Sequence, residues 1–162
     1  MPANAAHELE PLARRSTLLC QVGSLVCGLP LEHVIETLRP LPLSPFDGMP
    51  PFVSGLSVIR GAPVPVVDLG RLLGNERSAA RGRWVLARAQ GRRVALAVEQ
   101  VIGVRGLSMP SLIALPPLLG EASAELVSQV GALDTRLLLI LESGRVLPES
   151  VWASLQVGGG RA

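Results

Sequence analysis

Gly55-Leu56-Ser57-Val58-Ile59-Arg60-Gly61-Ala62-Pro63-Val64-Pro65-Val66-Val67-Asp68-Leu69 sets two apolar runs on either side of one Arg-Gly pair. Such a pattern predicts two strands joined by a tight turn, because Gly accepts φ > 0 without steric cost. Pro63 and Pro65 cannot donate ladder hydrogen bonds, so the second strand is expected at a sheet edge, or irregular. Arg60 then stands at a strand end with a fixed backbone and a long cationic arm, a good place to hold a partner.

On both sides of this segment, short apolar stretches alternate with Gly and Pro at the intervals of an all-β chain. Strands are expected at Thr17–Val22, Leu25–Leu29, Leu56–Arg60, Val64–Asp68, Arg83–Ala89, Val94–Val98, Val101–Gly106 and Arg136–Leu141. Gln90-Gly91-Arg92-Arg93 reads as a hairpin tip. Helical pieces are few: single turns at Leu31–Thr37 and Leu69–Leu73, and a C-terminal helix over Pro148–Leu155 with Pro near its first turn. Residues 1–15 and 156–162, the latter with Gly158-Gly159-Gly160, are expected as terminal tails around a body of residues 16–155.

The body contains echoes of itself. Leu29-Pro30-Leu31-Glu32-His33-Val34-Ile35 resembles Leu96-Ala97-Val98-Glu99-Gln100-Val101-Ile102, 67 residues on. Val67-Asp68-Leu69-Gly70-Arg71-Leu72-Leu73 resembles Leu141-Glu142-Ser143-Gly144-Arg145-Val146-Leu147, 74 residues on. Two related small barrels with loops of different length would produce both echoes in this order. The polar run Asn75–Arg81 marks the expected boundary, near residues 74–82.

Composition removes several functions. The chain has 162 residues, 48% of them hydrophobic, yet its apolar runs are short and interrupted. A spanning helix needs about 20 consecutive apolar residues, so membrane insertion is not expected. The start, Met-Pro-Ala-Asn-Ala-Ala-His-Glu, lacks the pattern of a secretory signal, which points to the cytoplasm. All 15 basic residues are arginines, spread along the chain against 13 acids. That balance makes no nucleic-acid stripe, and Phe46, Phe52, Trp84 and Trp152 are too few for base stacking.

No catalytic set assembles. His33 lacks a nearby nucleophile with an orienting acid, and the absence of Lys removes Schiff-base and Walker chemistry. Cys20 and Cys27 face each other across a hairpin if Gly23-Ser24 is a two-residue turn; a four-residue turn would break that register. In a reducing cytoplasm they read as small apolar core residues, and with His33 they are too few for a metal site. No cofactor is expected, and no enzyme.

Four segments carry a family resemblance. Pro51-Phe52-Val53-Ser54-Gly55 with Ile59-Arg60-Gly61 and Val64-Pro65-Val66-Val67-Asp68-Leu69 is similar to the signature of the CheW-like domains of bacterial chemosensory systems. Leu29 to Glu36 resembles that family's exit from its first hairpin, Val94 to Val104 its second-half strand pair, and Gly131 to Leu141 its closing hairpin. The resemblance implies an all-β fold with short helices: two SH3-like five-stranded barrels packed around a shared hydrophobic core. A final segment would return to the first barrel.

The same resemblance implies a stand-alone adaptor that couples the cytoplasmic tip of a chemoreceptor to the regulatory domain of a CheA-type histidine kinase. The length leaves no room for a kinase body or an added receiver domain, so CheA and CheV are not expected. Other CheW-like domains are further expected partners. Arg60 occupies the family's partner-binding arginine position, with Glu36 placed to pair with it; Gly55, Gly61 and Val34 belong to the same surface. Val101, Val104, Ala114, Leu118 and Leu119 form a second expected contact surface, whose apolar loop Ile113–Leu119 departs from the charged family pattern at Ala114 and Leu118. Each also has a plain alternative, with the arginine as a strand cap, the glycines as turns and the apolar residues as core. An adaptor or self-assembling scaffold of the same fold, serving a motility, developmental or other pathway, remains the alternative function.

Overall fold

A computed structural model of the chain describes residues 14–74, 82–108, 113–114, 127–133, 136–142 and 146–159. Eleven strands form two sheets. The first joins β1 (Arg14–Val22), β2 (Leu25–Pro30), β8 (Gln100–Ser108), β9 (Ile113–Ala114), β10 (Val127–Leu133) and β11 (Arg136–Leu141), in the order β8-β1-β2-β11-β10-β9. The second joins β3 (Val34–Leu38), β4 (Val53–Ile59), β5 (Ala62–Asp68), β6 (Arg83–Ala89) and β7 (Arg92–Val98), in the order β3-β6-β7-β5-β4. The first sheet exceeds the expected five strands only by the two-residue β9.

The two sheets share one wiring plan. In each, a central antiparallel hairpin (β1–β2 or β6–β7) is flanked by an edge strand and, through one parallel contact, by a second hairpin. The parallel contacts coincide under the sequence echoes. Gly28 pairs with Ile140 and Ala95 with Val66, and these partners are 67 and 74 residues apart. The echo at Glu32 and Glu99 falls where the chain crosses between sheets, from β2 to β3 and from β7 to β8. Glu99 binds this crossing to the first sheet: its amide donates to Gln21 O, and its Oε1 accepts from Gly23 N at 3.0 Å.

Side chains divide into three cores because the inner strands are buried on both faces, which removes polar alternation from their sequence. Leu19, Val26, Leu138 and Ile140 fill the inside of the first sheet. Ile59, Val64, Val66, Trp84, Leu86, Ala95 and Ala97 fill the inside of the second, where Leu38 of edge strand β3 joins them. Leu38 and Ile59 come from opposite edges and meet in one core, so the sheet is curled. The opposite faces, including Cys20, Cys27, Val85, Leu96, Leu139 and Leu141, merge into the large core between the sheets. The C-terminal helix, Glu149–Gly159, sends Val151, Trp152 and Leu155 into that core.

Several expectations change. The segment near residues 74–82 separates β5 from β6, two strands of one sheet, so it does not divide the sheets. The second sheet occupies one continuous run, Val34–Val98, whereas the first is assembled from both halves of the chain. The expected helical turn at Leu31–Thr37 is a 3-10 turn only at Leu31–His33; Val34–Leu38 is drawn out as a strand by pairing with β6. Strand β1 begins at Arg14, and the C-terminal helix runs to Gly159, so both enter segments expected as tails. Strand β5 is internal, not an edge, but β7 pairs with it only at Val66–Asp68. Pro63 and Pro65 lie in the stretch that β7 leaves unpaired.

Gly23-Ser24 is the two-residue turn, and Cys20 lies opposite Cys27. Both thiols are free and buried. Burial pushes the Cys20 thiol up to about 12 and raises Cys27 as well, with Cys20 adding to the shift of Cys27.

Candidate functional site

Arg60 and Gly61 are the two central residues of the β4–β5 turn, at φ +53° and +79°, with Ile59 and Ala62 as the closing pair. Two successive positive φ values define the primed hairpin turn whose twist matches that of its strands. Gly61 supplies this conformation without steric cost, whereas Arg60 adopts a region uncommon for side-chain-bearing residues. The backbone thereby aims the guanidinium away from both strands.

Glu36 meets it. Arg60 Nε donates to Glu36 Oε1 at 3.1 Å and Nη2 to Oε2 at 2.8 Å, a two-pronged pair that fixes the guanidinium plane. The Arg60 side chain is 70% exposed and that of Glu36 28%, so the cation is oriented and still open to a partner. The hydrogen bond from Arg60 holds the Glu36 carboxyl below its usual range, helped by the charges of Arg60 and Arg93 against a smaller effect of burial. Arg60 is raised by the same hydrogen bond and charge.

Period-two alternation explains why these charges gather. Trp84 and Leu86 of β6, Ala95 and Ala97 of β7 and Leu38 of β3 point into the second sheet's core. Two residues along each strand, the same face carries Arg88, Arg93 and Glu36. Arg88 lies opposite Arg93 in register. One end of this small barrel is thus ringed by Glu36, Arg88 and Arg93, with Arg60 reaching in from the turn. Sequence reasoning missed Arg88 and Arg93 because it read them as hairpin ends; their spacing from Leu86 and Ala95 was the available signal.

Gly55 has a local structural reason. Its φ is +146°, and a Cβ there would come within 2.5 Å of the Ser44 carbonyl oxygen. Ser44 and Leu56 exchange backbone hydrogen bonds of 2.7 and 2.9 Å at that point, sealing part of the β4 edge. Val34 opens β3 half-buried, and Val101, its counterpart in the echo, is likewise half-buried on β8; both pack against the shared core. Val104 lies further along β8 with 57% of its surface exposed, beside exposed Ile102. The Val101–Val104 pair belongs to the first sheet and the Glu36–Arg60 pair to the second. Ala114 sits in β9, where its backbone pairs with Gln129. Leu118 and Leu119 lie outside the described residues.

A second charged contact was not foreseen. Arg92 Nη2 donates to both carboxylate oxygens of Glu149 at 3.0 Å, and its guanidinium lies 4.9 Å from the centre of the Trp152 ring. This contact fastens the C-terminal helix to the second sheet. The partners are far apart in sequence and no local pattern links them.

Twin curled sheets over one core, with an oriented arginine at a hairpin tip, define the class: a double-barrel β module. Residues 16–151 match the model of the CheW-like domain, and the chain belongs to that family. It is 35% identical over 107 residues to Protein FrzA of Myxococcus xanthus, covering 65% of this chain and 66% of that protein. Over 128 residues it is 31% identical to Chemotaxis protein CheA of Salmonella typhimurium, covering 70% of this chain and 18% of CheA. The chain therefore spans slightly under two thirds of FrzA and less than a fifth of CheA. Identity to Chemotaxis protein CheW of Rhizobium meliloti is 27% over 147 residues, 90% of this chain and 94% of that one. The crystal structure of the scaffolding protein TtCheW from Thermoanaerobacter tengcongensis superposes with a TM-score of 0.70 at 20% identity, over 80% of this chain and 89% of that one. The last likeness is one of fold.

Proposed function

We propose that the protein is a non-catalytic adaptor that couples chemoreceptors to a CheA-type histidine kinase in bacterial chemosensory signalling. The observation that carries this reading is the Glu36–Arg60 pair, which holds an exposed guanidinium in one orientation on a rigid turn. Ion pairs at exposed positions add little to stability, so such a pair is better explained by what the arginine presents. Arg suits that task because its planar fork is pre-organised and loses less freedom per hydrogen bond than Lys.

The mechanism is geometric. The Arg60 surface, with Glu36, Gly55, Gly61 and Val34, holds one partner, and the surface around Val101, Val104, Ala114, Leu118 and Leu119 holds another. A receptor displacement then biases the kinase between states it already samples. Each contact needs only modest affinity, because a repeated lattice adds avidity. The adaptor would work in the cytoplasm, clustered at the membrane through receptors, without a cofactor. No helix among the described residues is long and apolar enough to cross a membrane.

Co-sedimentation of the chain with a receptor cytoplasmic tip and a CheA-type regulatory domain tests the proposal. A ternary complex that forms only when this chain is present is the expected result; failure to bind either partner would remove it. Exposed Ile102 and Val104 on edge strand β8 favour one other reading, a self-assembling scaffold for another output. Concentration-dependent self-association without receptor or kinase binding would select it.

A further inference from the structure

Strands β5 and β7 part before their parallel contact begins, and the C-terminal helix passes beside the gap. The result is a groove of about 410 Å³, with Pro63 and Pro65 on one wall, Arg92 and Arg93 on the other, and Trp152 and Leu155 contributed by the helix. Its volume lies in the range of binding clefts.

The backbone along the proline wall rules out one kind of occupant. A two-residue turn makes Ile59–Ala62 a hydrogen-bonded pair, and every second pair after it is hydrogen-bonded too. Val64 therefore points its N–H and carbonyl at β4, while the backbone of Pro63 and Pro65 faces the groove. Proline has no N–H, so this margin offers acceptors and no donors. An added strand needs both. A helix needs neither, since its backbone is already paired.

The opposite wall is cationic. Arg93 is exposed, and its charge is also felt by Glu36, so the groove is continuous with the charged barrel end at Arg60. Arg92 gives Nη2 to Glu149, but its Nη1 is buried without a hydrogen-bond partner among the described residues. A buried, unpaired donor on a charged group is costly to leave unmatched, and a carboxylate is its natural complement.

We propose that this groove receives an amphipathic helix of a docked protein partner, with aliphatic side chains against Trp152 and Leu155 and a carboxylate against Arg92 and Arg93. The inference rests on the adaptor reading: the same partner would contact Arg60 and continue along β5 into the groove.

The test uses the full chain with benzoylphenylalanine at Pro63, mixed with a receptor cytoplasmic tip or with a CheA-type regulatory domain. Illumination should link Pro63 to a helical partner segment containing Asp or Glu among aliphatic residues. Ala62→Trp, which fills the groove, and Arg93→Glu, on the exposed wall, should each weaken binding at least tenfold with the melting temperature kept. If a partner binds but does not cross-link and neither substitution shifts Kd more than twofold, the groove proposal fails and the adaptor reading stands. Cross-links only to residues 1–13 of this chain, or to a second copy, also overturn it. If neither partner binds, the adaptor reading fails, and the groove assignment fails with it.

Discussion

Replacing Trp152 by Ala should weaken both halves of the protein at once. The indole is 8% exposed and sits in the core formed by strands of both sheets, although its helix follows the first sheet in the chain. Truncating a buried Trp to Ala typically costs about 3–5 kcal/mol. The contact of Arg92 with the ring adds about 1 kcal/mol. The Arg92–Glu149 pair is discounted, because Glu149 is 70% exposed. For a domain of this size that loss lowers the melting temperature by roughly 6–20 °C, against a total stability of about 5–15 kcal/mol. Urea unfolding followed by far-ultraviolet circular dichroism and by Trp84 fluorescence reads it. Both probes should report one shared transition, displaced to lower urea, and Arg92→Ala should cost less in the Trp152→Ala background than alone. A loss below about 1 kcal/mol, or two separate transitions, one per sheet, would refute the shared-core argument.

Three further outcomes follow from local geometry. Gly55→Ala places a Cβ within 2.5 Å of the Ser44 carbonyl oxygen at a positive φ, so it should destabilise by about 1–3 kcal/mol in chemical unfolding; an unchanged midpoint would remove the close-approach reading. Glu36 has a carboxyl held low by Arg60, so its pairing is present above the ordinary value of 4.5 and lost as pH falls through the lower folded value. Carboxylate titration by NMR should show a midpoint below 4.5 that rises in Arg60→Ala, and an equal midpoint in both proteins would contradict the pairing. Cys20, pushed up to about 12, and Cys27 should resist a thiol reagent at pH 8 until the protein unfolds, when both react; rapid labelling of the folded protein would contradict their burial.

The sequence was most informative where strands carried continuous apolar runs. Arg83–Ala89 and Arg136–Leu141 were legible to the residue because both faces of those strands are buried. Strand β10, Val127–Leu133, was not, since Ser128, Gln129 and Gly131 break any apolar run and its pairing with β11 supplies the strand. Strand β3 was read as helical because the spacing of Leu31, Val34 and Ile35 imitates a helix face, and only contact with β6 settles it. The duplication was visible, but the division between sheets was misplaced at residues 74–82. Echoes in linear order do not reveal that one sheet draws on both halves of the chain.

For the candidate site, the Arg60-Gly61 turn was readable from residue type alone, and the approach of Glu36 was expected from the family resemblance. Arg88 and Arg93 required the barrel's inward register, and the Arg92–Glu149–Trp152 contact required the path of the C-terminal helix across the second sheet. Contacts set by tertiary path leave no local pattern to read.

The most direct test of the adaptor account compares Arg60→Ala with the unaltered protein in two measurements made together: the Kd for a receptor cytoplasmic tip and a CheA-type regulatory domain, and the melting temperature. Arg60 is 70% exposed, so binding to at least one partner should weaken tenfold or more while the melting temperature stays within about 2 °C. Unchanged binding, or losses of binding and melting temperature that rise together, would make Arg60 a structural cap and contradict the account.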